Sequence, residues 1–123
     1  MALENLGSFT GSENFHRNGM NRRFIYTDGA KYVADEAGAY WLIDDIAIAN
    51  AFDQNLKGEE FQTWTLTKTG NSATLIATDG NDRVLYSKGI EYTDFPLESI
   101  KFYVVSAEDF GVNHLMLMLP SEY

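Results

Sequence analysis

Between Ala39 and Phe52 the chain reads AYWLIDDIAIANAF, an apolar run broken in its middle by Asp44 and Asp45. At about 100° per residue, Leu42, Ile43 and Ile46 fall on one stripe and Trp41, Ile48 and Phe52 on another. A helix that is apolar around most of its circumference is covered on more than one side. The pattern therefore places this helix between a sheet and the N-terminal segment. A bilayer span needs roughly 20 apolar residues, so no membrane association is expected. Asp44 and Asp45 lie about 100° apart on such a helix and do not share a face as an acid and base pair. Upstream, Thr27-Asp28-Gly29 precedes AKYVADEA, where Thr or Asp can accept from the unpaired amides of a first helical turn. Gly38 then closes that helix by entering the left-handed conformation. Residues 27–52 thus predict two helices separated by a glycine break.

Past Phe52 the segment DQNLKGEE is polar and without period, and reads as a connection. Trp64 and Leu66 then alternate with Thr63, Thr65 and Thr67, the period of two that marks a strand with one wetter face. Thr69-Gly70-Asn71 turns the chain into SATLIAT, and Asp79-Gly80-Asn81-Asp82 turns it into RVLYSKGIEY. Tight turns of this kind use glycine, and the three segments predict an antiparallel meander. Tyr92-Thr93-Asp94 repeats the tripeptide at Tyr26-Thr27-Asp28 and precedes PLES, which predicts a short helical turn with Pro96 near its start. IKFYVVSA and HLMLMLP are two further strands, joined by EDFGVN.

Residues 1–23 are rich in Gly, Asn and Ser and show no period, so they read as an irregular wrap anchored by Phe9 and Phe15. The expected architecture is one α+β domain over 1–123: the wrap at 1–23, two N-terminal helices within 27–52, and one antiparallel sheet of about five strands within 60–120. The strand at 114–119 is expected at an exposed edge, open to pairing with a second copy as a homodimer.

Lys and Arg total 9 against 18 Asp and Glu, a formal net charge of −9. That argues against a direct grip on nucleic-acid phosphates and favours a basic protein partner, including a nucleic-acid-binding one, although the same charge also serves solubility. The absence of cysteine removes thiolate nucleophiles, zinc-thiolate sites and disulfides together. With no basic, apolar leader at the start, the protein is expected in the cytoplasm.

Positive charge concentrates in one place, where His16, Arg17, Arg22 and Arg23 stand close in sequence. Two readings are open. The group contacts an anion with help from Ser12 and Asn14, or the arginines pair with Asp28, Asp44 or Asp45 on the helices. A pocket between wrap and helix pair would be lined by His16, Arg17, Tyr26, Trp41 and Asp44, with Arg22, Arg23 and Asp45 completing the candidate binding set. No catalytic residue is assigned: there is no Gly-x-Ser-x-Gly elbow and no phosphate-binding glycine loop. The combination of Ser12, His16 and a helix aspartate is the one nucleophilic arrangement to test. His114, Met116 and Met118 share a strand face that packing explains better than copper binding. Asp79-Gly80-Asn81-Asp82 lacks the glutamate of a calcium loop, so no metal or cofactor is expected. Tyr103, Phe110, Phe61 and Tyr123 are the candidate aromatic anchors for a partner.

The stretches TGSENFHR (10–17), IYTDGAKYVADEAGAYWLID (25–44), IEYTDFPLESIKFYV (90–104) and LPSEY (119–123) resemble a small family of bacterial and phage domains of unknown function. The chain departs from that family around Asn18 to Arg23 and after Phe52. The resemblance brings no activity and no catalytic residue. It implies a mobile-element setting, in which small acidic proteins act by occupying a host or phage protein. The leading expectation is an acidic protein-binding module, in its sharpest form a regulator or inhibitor of a nucleic-acid-handling defence complex. The alternative is a small enzyme or ligand-binding domain using the pocket between wrap and helix pair.

Overall fold

The computed structural model describes residues 14–123, so Ser12 and Phe9 lie outside the described residues. Two short strands come first, β1 (Phe15–Arg17) and β2 (Phe24–Thr27). The helices α1 (Asp28–Ala37) and α2 (Tyr40–Phe52) follow. Then come β3 (Phe61–Thr69), β4 (Ser72–Thr78), β5 (Val84–Ile90), β6 (Ser99–Ser106) and β7 (Leu115–Met118). Short 3-10 turns occupy Glu108–Phe110 and Pro120–Glu122.

The class is α+β, with a larger sheet than the sequence pattern predicts. Among the described residues seven strands run in the order β1-β2-β7-β6-β3-β4-β5. All neighbours are antiparallel except β2 and β7, which pair in parallel with Phe24 opposite Leu115 and Tyr26 opposite Leu117. The sheet is therefore mixed, and the helices are not its N-terminal elements, because β1 and β2 precede them. Part of the expected wrap is strand, with His16 opposite Tyr26. The segment 114–119 is no edge: β7 is paired on both sides, by β2 and by β6. Of PLES, Pro96 to Glu98 form a bend without helical structure and Ser99 begins β6. Phe95, just before it, is buried at 1% exposure, and its carbonyl accepts from Lys68 Nζ at 2.8 Å, so tertiary anchoring replaces local helix bonds there.

Local chemistry explains the helix ends. Thr27 Oγ1 accepts from the Ala30 amide at 3.3 Å, supplying one acceptor for the first turn of α1. Gly38, at φ 61°, ends α1 with its amide on the Ala34 carbonyl; a side chain is disfavoured in that conformation. The two helices are then set against one face of the sheet. Ile43 and Ile46 of α2 are 2% and 0% exposed and pack in one core with Trp64, Leu66, Phe102 and Leu117. Each such side chain contributes about 1.5–3 kcal/mol through burial. The other apolar stripe of α2 is not covered as its pattern predicts, since Trp41 and Ile48 are half-buried and Phe52 is 76% exposed.

A polar chain crosses this core. The Trp64 indole N–H donates to Gln62 Oε1 at 2.8 Å, Gln62 Nε2 donates to Asn50 Oδ1 at 2.7 Å, and Asn50 Nδ2 donates to the Ile46 carbonyl at 3.0 Å. Gln62 is fully buried, and an amide in that position is tolerated because its donor and acceptor are both used.

Candidate functional site

The antiparallel order gathers four connections at one end of the sheet. There the chain runs from β1 to β2, from α2 into β3, from β4 to β5 and from β6 to β7. Glu59 and Glu60 come from the second of these, Asp79 and Asp82 from the third, and Glu108 and Asp109 from the fourth. The first brings Arg22 and Arg23 to the opposite side of the same end. Acidic character is thus concentrated beside β3, β4 and β6, and basic character beside β1 and β2.

Next to the acidic connections, on the sheet face away from the helices, three aromatic rings meet. Phe61 lies 5.1 Å from Tyr103 and 5.6 Å from Tyr123, and Tyr103 lies 5.3 Å from Tyr123. The Pro120–Glu122 turn brings Tyr123 back across this face, where the residue stays 75% exposed. Phe61 also fills the space beside Gly80, at φ 89° in the β4–β5 turn, which sets the Asp79–Asp82 turn against the Phe61 ring. Phe110, the fourth aromatic candidate, packs edge-on against Phe15 at 5.2 Å and stays 40% exposed.

Between the acidic and basic sides lies a cavity of about 560 Å³. Arg23, Asn50, Lys57, Glu60, Glu108 and His114 are among its lining residues. Two of its neutral amides are already engaged: Asn21 Nδ2 donates to the Ala47 carbonyl at 2.9 Å, and Asn50 serves Gln62. His114 is oriented from outside. Arg17 Nη1 lies 3.0 Å from His114 Nε2, and a guanidinium only donates. Nε2 is therefore the acceptor, and Nδ1 carries the hydrogen toward the Val112 carbonyl at 3.2 Å.

The residues singled out by sequence separate into several places. His16 and Tyr26 do meet, their rings 5.4 Å apart, and His16 Nε2 lies 3.1 Å from Asp28 Oδ1. Burial beside them raises the Tyr26 pKa above the ordinary tyrosine value. Asp44 accepts from Asn18 Nδ2 at 2.8 Å. Asp45 faces the other way and pairs with Lys88 at 3.2 Å, as their separation around the helix requires. Among the described contacts, Asp28 meets His16 and the Asn14 amide, Asp44 meets Asn18, and Asp45 meets Lys88. Arg17 reaches the Arg22 carbonyl and His114. Arg23 lines the cavity, Arg22 is exposed, and Trp41 stays half-buried on α2. The cavity takes Arg23 from the expected set but none of His16, Arg17, Tyr26, Trp41 or Asp44.

Asn18 was not singled out as a site residue, yet its Oδ1 accepts from the amides of Met20 and Asn21 at 2.8 and 2.7 Å and positions the β1–β2 connection over α2. An Asn in a Gly- and Asn-rich stretch was the available signal. Among the described residues no group of three His, Asp or Glu gathers as a metal site, and no helix is long and apolar enough to cross a membrane.

No curated protein and no solved structure matches the chain. A family model does match it, over residues 1–123, and the protein belongs to that family, a family of unknown function (DUF6876).

Proposed function

We propose that the protein is a non-catalytic binding module that docks on a basic protein partner through the acidic, aromatic end of its sheet. The observation that carries this reading is Tyr123, 75% exposed and braced by Phe61 and Tyr103 beside the Asp79–Asp82 turn. A rigid aromatic group with an exposed ring is a favoured anchor for protein partners. Carboxylates around it steer a basic surface and lend specificity. In its sharpest form the module is a cytoplasmic regulator or inhibitor of a nucleic-acid-handling complex, carried on a mobile element, with its carboxylates standing where phosphates would lie. The net charge of −9 supports that form.

The test is affinity capture from the organism that carries the gene, with wild type and Tyr123→Ala side by side at low and high salt. The same protein is expected with wild type at low salt, depleted at high salt and depleted by Tyr123→Ala. Equal recovery by both baits contradicts the reading.

The cavity of about 560 Å³ favours a second reading, a small-ligand site, because its volume falls in the range of ligand pockets. Its lining carries charges of both signs, Arg23 and Lys57 with Glu60 and Glu108, which suits a ligand carrying both charges. Ligand-observed NMR with a panel of amino acids, comparing wild type with Arg23→Ala, tests it; no binding by wild type removes it.

A further inference from the structure

The α2–β5 side of the molecule presents two features that lie together. The first is a sheet edge. β5 is the last strand in the order, and its outer main chain is unpaired among the described residues. The opposite edge, β1, is only 3 residues long. A lysine standing over an edge ordinarily discourages pairing, but Lys88, the one charge within β5, is turned onto Asp45 of α2 at 3.2 Å. The second feature is the uncovered stripe of α2. Ile48 and Phe52 line a groove of about 280 Å³ with Tyr86 and Lys88 of β5. Phe52 is 76% exposed there, and Val84, at the start of β5, is 60% exposed.

We propose that a second copy of this chain pairs antiparallel along β5, joining the two sheets and bringing the two α2 stripes together across the seam. Such a contact is isologous, the commonest form of soluble dimer, and covers Phe52 and Val84 in the same event. Charge selects the register. A two-fold axis at Lys88 would set two ammonium groups opposite one another, which is unfavourable. An axis at Ser87 sets Lys88 opposite Tyr86 of the second copy, and an ammonium beside a phenol ring is attractive.

The same axis places exposed Arg83, just before β5 and beyond the Leu85 bulge, at the same end of the seam as Glu91 of the second copy, just after β5, and does so twice. Within its own copy Arg83 Nη1 lies 3.8 Å from Glu59 Oε2. The bulge between Ala77 and Thr78 turns Leu85 into the core at 3% exposure. It shortens the regular run to 86–90 and leaves the residues at the axis in register. The seam meets the aromatic end of the sheet only at the β4–β5 turn, where the Asp79 amide donates to the Arg83 carbonyl at 3.1 Å, and sedimentation of the protein alone reads the dimer without the partner proposed above.

Sedimentation of the full chain over a micromolar concentration series reads the assembly, and a concentration-dependent dimer is expected. Arg83→Glu weakens it roughly tenfold by setting two like-charged pairs at the seam, and adding Glu91→Arg restores it. Phe52→Ser weakens it while leaving the monomer fold intact, since Phe52 is exposed. Because the chain has no cysteine, Ser87→Cys gives a cross-linked dimer on mild oxidation, whereas Ser72→Cys does not. A monomer at every concentration overturns the proposal. So does a dimer that none of these variants affects, or one in which Ser72→Cys cross-links and Ser87→Cys does not.

Discussion

Glu122 caps the first helix from the far end of the sequence, accepting the Gly29 amide on Oε2 at 3.1 Å. Its other oxygen, Oε1, accepts from Thr27 Oγ1 at 2.6 Å and from the Leu119 amide at 2.9 Å. A carboxylate at a helix N-terminus also meets the positive end of the helix dipole. The YTDG and LPSEY stretches, 93 residues apart at this contact, are therefore parts of one joint, which ties β2 and α1 to the turn that carries Tyr123.

Removing that carboxylate destabilises the fold. Glu122→Ala is expected to lower stability by about 1–3 kcal/mol, the range for leaving buried donors unsatisfied, as measured by urea unfolding. Gly29→Ala destabilises for a different reason, because a Cβ there would overlap the Glu122 carboxylate. The double variant then costs less than the sum of the two, since each removes the other's conflict. Strict additivity contradicts the joint.

The buried amide chain makes a second prediction. Asn50→Ala deprives Gln62 Nε2 of its 2.7 Å acceptor and leaves only the Glu59 carbonyl at 3.3 Å. The expected loss is about 1–3 kcal/mol, whereas Asn50→Asp keeps an acceptor at the same place and loses less. Chemical unfolding of both variants, with Trp64 fluorescence as the probe, distinguishes them. Equal losses for the two would show that the acceptor is not what matters.

The fold was legible in the sequence where it depends on near neighbours. Thr27 and Gly38 could be read as helix caps because their chemistry acts within one turn, and Gly70 and Gly80 marked hairpins because a positive φ is local. The meander from β3 to β5 followed from alternation. What escaped was set at long range. β1 and β2, at 3 and 4 residues, are too short to show a period, and β2 has its parallel partner in β7, at the far end of the chain. That pairing makes β7 an interior strand, which the alternation of its residues does not reveal. The site was legible in the same uneven way. Phe61, Tyr103 and Tyr123 stood out as aromatic residues, but the turn that returns Tyr123 to the other two depends on Glu122, whose distant partners are Thr27 and Gly29 where β2 meets α1.

A pH prediction comes from Tyr40, whose hydroxyl donates to Asp35 Oδ1 at 2.5 Å while Lys31 Nζ donates to Asp35 Oδ2 at 2.7 Å. The hydrogen bonds from Lys31 first and Tyr40 second lower the Asp35 pKa, and the bond to Asp35 raises that of Tyr40. For the lowered Asp35, the contribution is present above its unfolded pKa and is lost as pH falls through the folded one. For the raised Tyr40, it is present below the unfolded pKa and is lost as pH rises through the folded one. The contact is thus complete from mildly acidic to mildly alkaline pH and weakens beyond either end. Ultraviolet titration of Tyr40 should show ionisation above the ordinary tyrosine range in wild type and closer to it in Asp35→Asn. An unmoved titration would contradict the assignment.

Partner docking at the acidic, aromatic end of the sheet is tested most directly by the salt dependence of association between the purified protein and its captured partner. Wild type is expected to bind more weakly as salt rises, because charge steers the encounter. Asp79→Asn/Asp82→Asn, which leaves the rings in place, should bind more weakly at low salt and lose much of that salt dependence. Identical affinities and salt dependences for the two proteins would place the contact elsewhere on the molecule.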